Sequence, residues 1–158
     1  MRTLAIVMLL SLAATQMGCG SGTTSAVKAA DGVWESALAG SEAGVGVFNF
    51  ITSFSVGSSG SLSVSYFSFL TTGPCFPVSG DNASGSFNVT ATGTSPTADF
   101  QFTVQSGSSS MAMTGTATGT TDSSGNTTWS TITGSWTLTG GTGCTNGAGT
   151  FTMTRTGG

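Results

Sequence analysis

Apolar and polar residues alternate along most of the chain from about residue 31 onward. Apolar side chains fall at every second position, as at Phe100, Phe102 and Val104, and Ser, Thr or Asn fill most positions between them. A period of two is typical of a β-strand with one buried face. No long segment of this region repeats with the 3.6-residue period of a helix. The pattern therefore predicts an all-β domain.

Clusters of Gly, Pro, Asn, Asp and Ser divide the alternating region into eight strands, because these residues favour turns. We predict strands at roughly 32–39, 45–56, 61–70, 83–93, 98–105, 110–120, 128–139 and 149–156. In the third strand the apolar phase shifts from Leu62, Val64 and Tyr66 to Phe67 and Phe69. A shift of one residue in the apolar phase predicts a β-bulge there.

Eight strands joined by mostly short connections predict an antiparallel up-and-down meander. Closing the meander into a small barrel removes both exposed edges, and a two-sheet β-sandwich is the alternative. Many strands have one apolar face and one Ser/Thr face, which fits an apolar interior and an exterior covered by hydroxyls. A membrane-spanning barrel would need the reverse arrangement, with an apolar outer band and aromatic girdles.

The first twenty residues differ from the rest of the chain. Arg2 supplies a positive charge, and residues 4–14 form an apolar run of about eleven residues. That length fits a secretory signal and is too short to span a bilayer. Gly18 and Cys19 follow shortly after it. A small residue directly before such a cysteine resembles the lipobox of bacterial lipoproteins, although residues 16–17 depart from the preferred Leu and small residue.

The lipoprotein resemblance implies that residues 1–18 are a removed signal peptide. It also implies that Cys19 is diacylated on sulfur, and that its new amine is usually acylated as well. Gly20 is not the aspartate that favours retention in the inner membrane, so in a Gram-negative cell the resemblance implies the outer membrane. The alternative is an ordinary secretory signal cut after Ala13, which would leave Cys19 as a spare thiol.

Residues 19–30 are rich in small and polar side chains, which predicts a flexible tether. One domain at 31–158 would follow it. The chain has 158 residues, so removal of an 18-residue signal leaves 140. That length suits a single domain able to bury roughly two-thirds of its unfolded surface.

Charged residues make up 6% of the chain, far below the usual quarter. Beyond the signal the only cations are Lys28 and Arg155. The six carboxylates belong to Asp31, Glu35, Glu42, Asp81, Asp99 and Asp122. Because nucleic-acid binding requires clustered Lys and Arg, this composition excludes nucleic acid as a partner.

Two cysteines, Cys75 and Cys144, remain once Cys19 is acylated. In an oxidising compartment two such cysteines pair by default. Cys75 follows the third strand and Cys144 the seventh, and both connections leave the same end of an up-and-down meander. We therefore predict a Cys75–Cys144 disulfide. A redox-active pair is disfavoured, since there is no C-x-x-C motif and no nearby Lys or His to lower a thiol pKa.

The chain contains no histidine. This excludes Ser/His/Asp and Cys/His catalysis and removes the usual zinc and copper ligand. A pair of carboxylates would suffice for glycoside hydrolysis, but the six acids are scattered. Calcium ligands at Asp81–Asn82 or Asp122–Asn126 are possible by chemistry, yet both segments are more typical of turns. We predict a protein that is not an enzyme and has no metal and no cofactor.

Gly32-Val33-Trp34 opens the first strand, and Arg155 lies in the last. This set resembles the lipocalin and wider calycin pattern, in which the Trp of a G-x-W motif packs beside an Arg from the closing strand. The family's T-D-Y stretch is absent. The resemblance implies an interior that binds a small apolar ligand. That interior would be lined by the methionines and by Phe50, Phe54, Phe100 and Phe102.

The alternative interpretation of these residues is a core Trp34 and a solvent-exposed Arg155. The same rings would then fill a small barrel without a cavity, since eight strands leave room for side chains or for one small ligand.

The function that the sequence supports first is that of a lipid-anchored envelope lipoprotein with a non-catalytic β domain in a structural or interaction role. Its partner would be membrane lipid, through Cys19. The alternative is a lipocalin-like carrier of a small apolar ligand.

Overall fold

A computed structural model describes residues 21–40, 48–70, 82–140 and 147–158. Within these ranges the chain forms one helix and eight strands. They are α1 (Ser21–Lys28), β1 (Gly32–Gly40), β2 (Asn49–Val56), β3 (Leu62–Phe69), β4 (Asn82–Ala91), β5 (Thr97–Ser106), β6 (Ser109–Thr121), β7 (Thr127–Thr139) and β8 (Ala148–Gly157). The predicted all-β class and all eight predicted strands are confirmed. The predicted start of the second strand, at residues 45–47, lies outside the described residues.

The eight strands form one antiparallel sheet in the order β3-β2-β1-β8-β7-β6-β5-β4. The first and last strands pair along their length, from Gly40 opposite Gly149 to Val33 opposite Gly157. The sheet therefore curls into a nearly closed up-and-down barrel, and the predicted barrel is confirmed over the sandwich.

The barrel wall opens between β3 and β4, which are the two edges of the sheet. Among the described residues a single bridge connects the two edges, between Ser61 just before β3 and Ser86 of β4, and the Phe87 amide donates to the Gly60 carbonyl oxygen at 2.7 Å. Beyond this contact the edges separate, and a groove of about 270 Å³ lies between residues 64–67 and 82–83. We call this opening the seam.

The predicted bulge in the third strand is confirmed. Ser53 pairs with Tyr66 and Phe54 pairs with Val64, so Ser65 is the extra residue on β3. The bulge turns the strand so that Phe69, beyond it, returns to the interior, where it is buried.

Three further register shifts, in the β1–β8, β4–β5 and β6–β7 pairings, were not predicted. On β7, Thr131 pairs with Thr118 and Trp129 pairs with Gly119, which leaves Ser130 as the extra residue. Trp129 and Ile132 are three positions apart, yet both are fully buried. Their odd spacing was the signal in the sequence.

Aromatic rings from facing strands meet inside the barrel. Phe50 on β2 stacks on Phe102 of β5 at a centroid distance of 5.9 Å. Phe100, the next inward residue of β5, contacts Phe54 at 6.4 Å and Phe151 of β8 at 6.2 Å. These rings occupy the middle of the barrel. The exposed positions of β6 and β7 carry mainly Ser and Thr, as the alternation predicts.

The two ends of the barrel differ in their connections. At one end lie α1 and the turns at 57–61, 92–96 and 122–126, and we call this the capped end. At the other, the loop end, lie the turn at 106–109 and the connections that leave β1, β3 and β7. The connections that contain Cys75 and Cys144 thus leave the same end, as predicted. The two cysteines lie outside the described residues, so their pairing stays a prediction.

Where the sequence predicts a flexible tether over residues 19–30, the structure has a helix. α1 spans Ser21–Lys28, and Ala26 and Ala30 are buried against the barrel. A helix of eight residues is too short to be stable alone in water. Local composition therefore gives no sign of it, and contact with the barrel end stabilises it.

Candidate functional site

Helix α1 lies across the capped end of the barrel, where it contacts β2, β4 and β7. Ala26 is 4% exposed and Ala30 is fully buried, whereas Ser25 and Lys28 face solvent. The small alanine side chains allow the helix to approach the ends of the strands closely. The capped end is thereby closed by a segment of the chain itself.

Every one of the last four carbonyl groups of α1 has a hydrogen-bond donor. The amides of Ala29, Ala30 and Asp31 donate to the carbonyl oxygens of Ser25, Val27 and Lys28, each at 3.1 Å. The remaining carbonyl, of Ala26, accepts from the indole Nε1 of Trp129 at 2.7 Å. Because the terminal carbonyls of a helix need partners outside the helix, this indole attaches α1 to β7.

Trp34 makes a similar bond from its indole to a backbone carbonyl just after the helix. Its indole Nε1 donates to the carbonyl oxygen of Ala30 at 3.1 Å. The ring is fully buried and stacks on Phe54 with a centroid distance of 6.0 Å and an interplanar angle of 6°. A buried tryptophan thus satisfies its single polar group on the backbone, as such side chains usually do.

Asp31 joins the helix to both neighbours of β1. One oxygen of its carboxylate accepts from the Val56 amide at 2.7 Å. Its carbonyl oxygen accepts from Nη2 of Arg155 at 2.6 Å. One residue therefore connects α1 to the end of β2 and to the end of β8.

Gly32 must be glycine in this arrangement. Its φ angle is +140°, a region that residues with a side chain rarely adopt. A Cβ atom at this position would also clash with the carbonyl oxygen of Gly157 and lie 3.1 Å from Nε of Arg155. Because Gly32 has no side chain, β1 can begin in close contact with the Arg155 guanidinium.

The structure brings together the residues on which the calycin resemblance rests. Trp34 pairs directly with Arg155 across the β1–β8 ladder, and Gly32 lies against the guanidinium. Arg155 is partly buried, which differs from the alternative of a solvent-exposed terminal cation. Its Nε is buried without a hydrogen-bond partner among the described residues.

A surface groove of about 420 Å³ lies beside Arg155. β7 and β8 pair only as far as Thr131 and Thr154. Closer to the capped end, β7 stays paired with β6 and β8 stays paired with β1, so the two strands separate from each other. The groove between them is lined by hydroxyl side chains, glycines, Trp129 and Arg155. It offers one cation and several hydroxyls, a hydrogen-bonding surface without an acid–base pair.

The four carboxylates in the described ranges lie on separate elements. Asp31 is held at the start of β1, whereas Glu35 and Asp99 are exposed on β1 and β5. Asp122 lies in the turn between β6 and β7. No group of three metal-ligating side chains occurs among the described residues. Glu42 and Asp81 lie outside them.

Asp122 uses both carboxylate oxygens within its own turn. Oδ1 accepts from the amides of Ser124 and Asn126 at 2.9 and 2.8 Å, and Oδ2 accepts from the Asn126 side-chain amide at 3.0 Å. The bonds from Asn126, first from its side chain and then from its backbone, hold the pKa of this carboxyl below its ordinary value. These contacts support the turn interpretation of residues 122–126 over a calcium loop.

The predicted lipid-attachment residue, Cys19, lies outside the described residues. So does Asp81 of Asp81–Asn82, the other candidate calcium segment. Its neighbour Asn82 is exposed at the start of β4. Among the described residues, no helix is long and apolar enough to cross a membrane.

Comparison with known proteins adds no relative. No family model matches the chain, and neither a curated protein nor a solved structure matches it.

Proposed function

We propose that the protein is an exported bacterial lipoprotein whose β-barrel domain is held at the outer membrane through acylated Cys19. The observation that carries the proposal is the order of the first nineteen residues. A positive Arg2, an apolar run over residues 4–14 and the Gly18–Cys19 pair follow one another at the spacing of a lipoprotein signal. Two or three acyl chains would hold such a protein stably on a bilayer.

The role of the domain is structural or one of interaction, without catalysis. The chain has no histidine. Three charged groups of the capped end have structural partners. Asp31 and Arg155 bond to the backbone, and Asp122 bonds within its turn. None of these groups is arranged around a cleft with a second titratable side chain.

The interior supports this role better than it supports a carrier. Ring contacts such as Phe50–Phe102 and Phe100–Phe151 cross the middle of the barrel. The residues that would line a ligand cavity are therefore in contact with one another. The proposed function therefore does not include the binding of a small apolar ligand inside the barrel.

A disulfide between Cys75 and Cys144 is part of the proposal. Both connections leave the loop end of the barrel, and export places them in a compartment where thiols oxidise.

The experiment is an intact mass measurement on protein extracted from membranes, beside a Cys19→Ser variant. We expect a chain that begins at Cys19 and carries the mass of two or three acyl chains. The Cys19→Ser variant should lose that mass and its membrane association together. A Cys75→Ser variant is the matched control, because it removes a different cysteine and should keep the acyl mass. Unacylated protein that begins at Ala14 would contradict the proposal.

A further inference from the structure

The structure assigns a membrane-facing surface to this domain. We propose that the capped end rests against the lipid headgroups of the bilayer that holds Cys19, and that the loop end points away from it. This inference rests on the lipid anchor proposed above and adds an orientation to it.

The first step is the length of chain between anchor and helix. α1 begins at Ser21, so only Gly20 separates it from Cys19. Two residue steps span at most about 7 Å, whereas a free tether of twelve residues would reach roughly 40 Å. The acylated cysteine must therefore lie within about 7 Å of the start of α1.

The second step is that α1 is attached to the barrel. Trp129 holds the Ala26 carbonyl, Asp31 holds the end of β2, and Ala26 and Ala30 are buried. Because of these contacts α1 moves together with the barrel. A short link to this helix thus keeps the anchor, and with it the bilayer, next to the capped end and away from the loop end.

The third step is the chemistry of the exposed surface at this end. α1 exposes Ser25 and Lys28, and the three turns expose chiefly Ser, Thr, Gly and Asn. Asp122 is the acidic residue of the turns, and its charge balances that of Lys28. Hydroxyls and amides hydrogen-bond well to phosphate and ester oxygens. Asp31 and Arg155, both partly buried, add one further charge of each sign at this end, so its described charged side chains balance and it is not repelled by anionic headgroups.

The loop end contrasts with this surface. It exposes Leu70, 54% accessible, directly after β3. In the proposed orientation this apolar side chain points toward the aqueous space.

The test uses the full acylated protein in lipid nanodiscs that contain a gadolinium-chelating lipid. Amide relaxation is measured by NMR for the turns at 57–61 and 122–126 and for the turn at 106–109. Ten-residue strands tilted in a barrel separate the two ends by roughly 25 Å. We therefore expect the enhancement at the capped-end turns to exceed that at 106–109 by about tenfold or more.

A matched variant lengthens the link. Insertion of about twelve Gly and Ser residues between Gly20 and Ser21 creates the flexible tether that the native chain lacks. The variant should keep its acyl mass but lose the difference between the two ends. A Cys19→Ser variant, without an anchor, should show little enhancement anywhere.

The outcomes separate the two proposals. Acylated protein with equal enhancement at both ends, or with stronger enhancement at 106–109, would overturn the orientation and leave the lipoprotein assignment intact. Protein without acyl mass would overturn both.

Discussion

The two ends of this barrel are closed in different ways. At the capped end the chain places a helix across the strands and bonds it there through Trp129, Trp34 and Asp31. At the loop end the described closure is the turn at 106–109, and longer connections leave β1, β3 and β7. The capped end is thus covered by a helix that side-chain hydrogen bonds hold in place. The loop end instead has longer connections, and connections of this kind carry variation and function in many folds.

A hydrogen bond from a tryptophan indole to a backbone carbonyl occurs at both ends, but its consequences differ. Trp136, near the loop end, donates its indole Nε1 to the carbonyl oxygen of Ala39 at 3.0 Å. Trp129 makes the equivalent bond to Ala26. Ala39 belongs to a strand that is already paired on both sides, but Ala26 belongs to a helix that is too short to persist alone. The indole bond therefore decides the position of a whole element only at the capped end.

The largest expected effect comes from removing these indoles. Trp129→Ala and Trp136→Ala should each lower the free energy of unfolding by about 3–5 kcal/mol, because both create large cavities in the core. Only Trp129→Ala should also release α1. Hydrogen exchange of amides 21–31 should then become much faster in Trp129→Ala and remain near the native rate in Trp136→Ala. Equal acceleration in both variants would break the distinction between the ends.

Reduction of the predicted Cys75–Cys144 disulfide is the corresponding test at the loop end. The chain-entropy model gives such a bond about 4 kcal/mol for a loop of this length. Unfolding of exported Cys19→Ser protein should shift by that amount when reductant is added, and both thiols should react with an alkylating agent only afterwards. Alkylation of either cysteine in the folded, unreduced protein would refute the pairing.

A smaller effect is expected from Arg155. Arg155→Met removes the donor to the Asp31 carbonyl and should cost about 1–3 kcal/mol in chemical unfolding, since that carbonyl is left without its partner. Thr154→Met, on the exposed face of the same strand, is the matched control and should change stability little. If the two variants are equally stable, the guanidinium contributes nothing to the capped end.

The smallest effect concerns Asp122. Its carboxyl has a lower pKa in the folded protein than in the unfolded chain, so the carboxylate stabilises the fold. That contribution is complete above the unfolded pKa and is lost as the pH falls through the folded pKa. Asp122→Asn should therefore melt slightly below the native protein at pH 7, and the gap should close in acid. A melting difference that is the same at both pH values would show that the charge has no role in the turn.

The strands were predictable because their signal is local. Alternation at Phe100, Phe102 and Val104 identifies β5 from a few residues. The shift of the apolar phase along β3 indicates its bulge, which the structure places at Ser65. The bulge at Ser130 was missed although Trp129 and Ile132 have the wrong spacing for one strand face. The pairing of Trp34 with Arg155 was predictable only through resemblance, since 120 intervening residues separate the two in sequence.

By itself, the sequence determined the period-two strands, the turns between them and the polar exterior, because each depends on neighbours a few residues apart. The order of its first nineteen residues supplied the predicted anchor in the same way. Only the tertiary structure decided that β1 pairs with β8 while β3 and β4 separate at the seam, and that residues 21–28 are helical. These features depend on surfaces that exist only after the sheet has curled. A short segment such as α1 gains its stability from the barrel end that it covers.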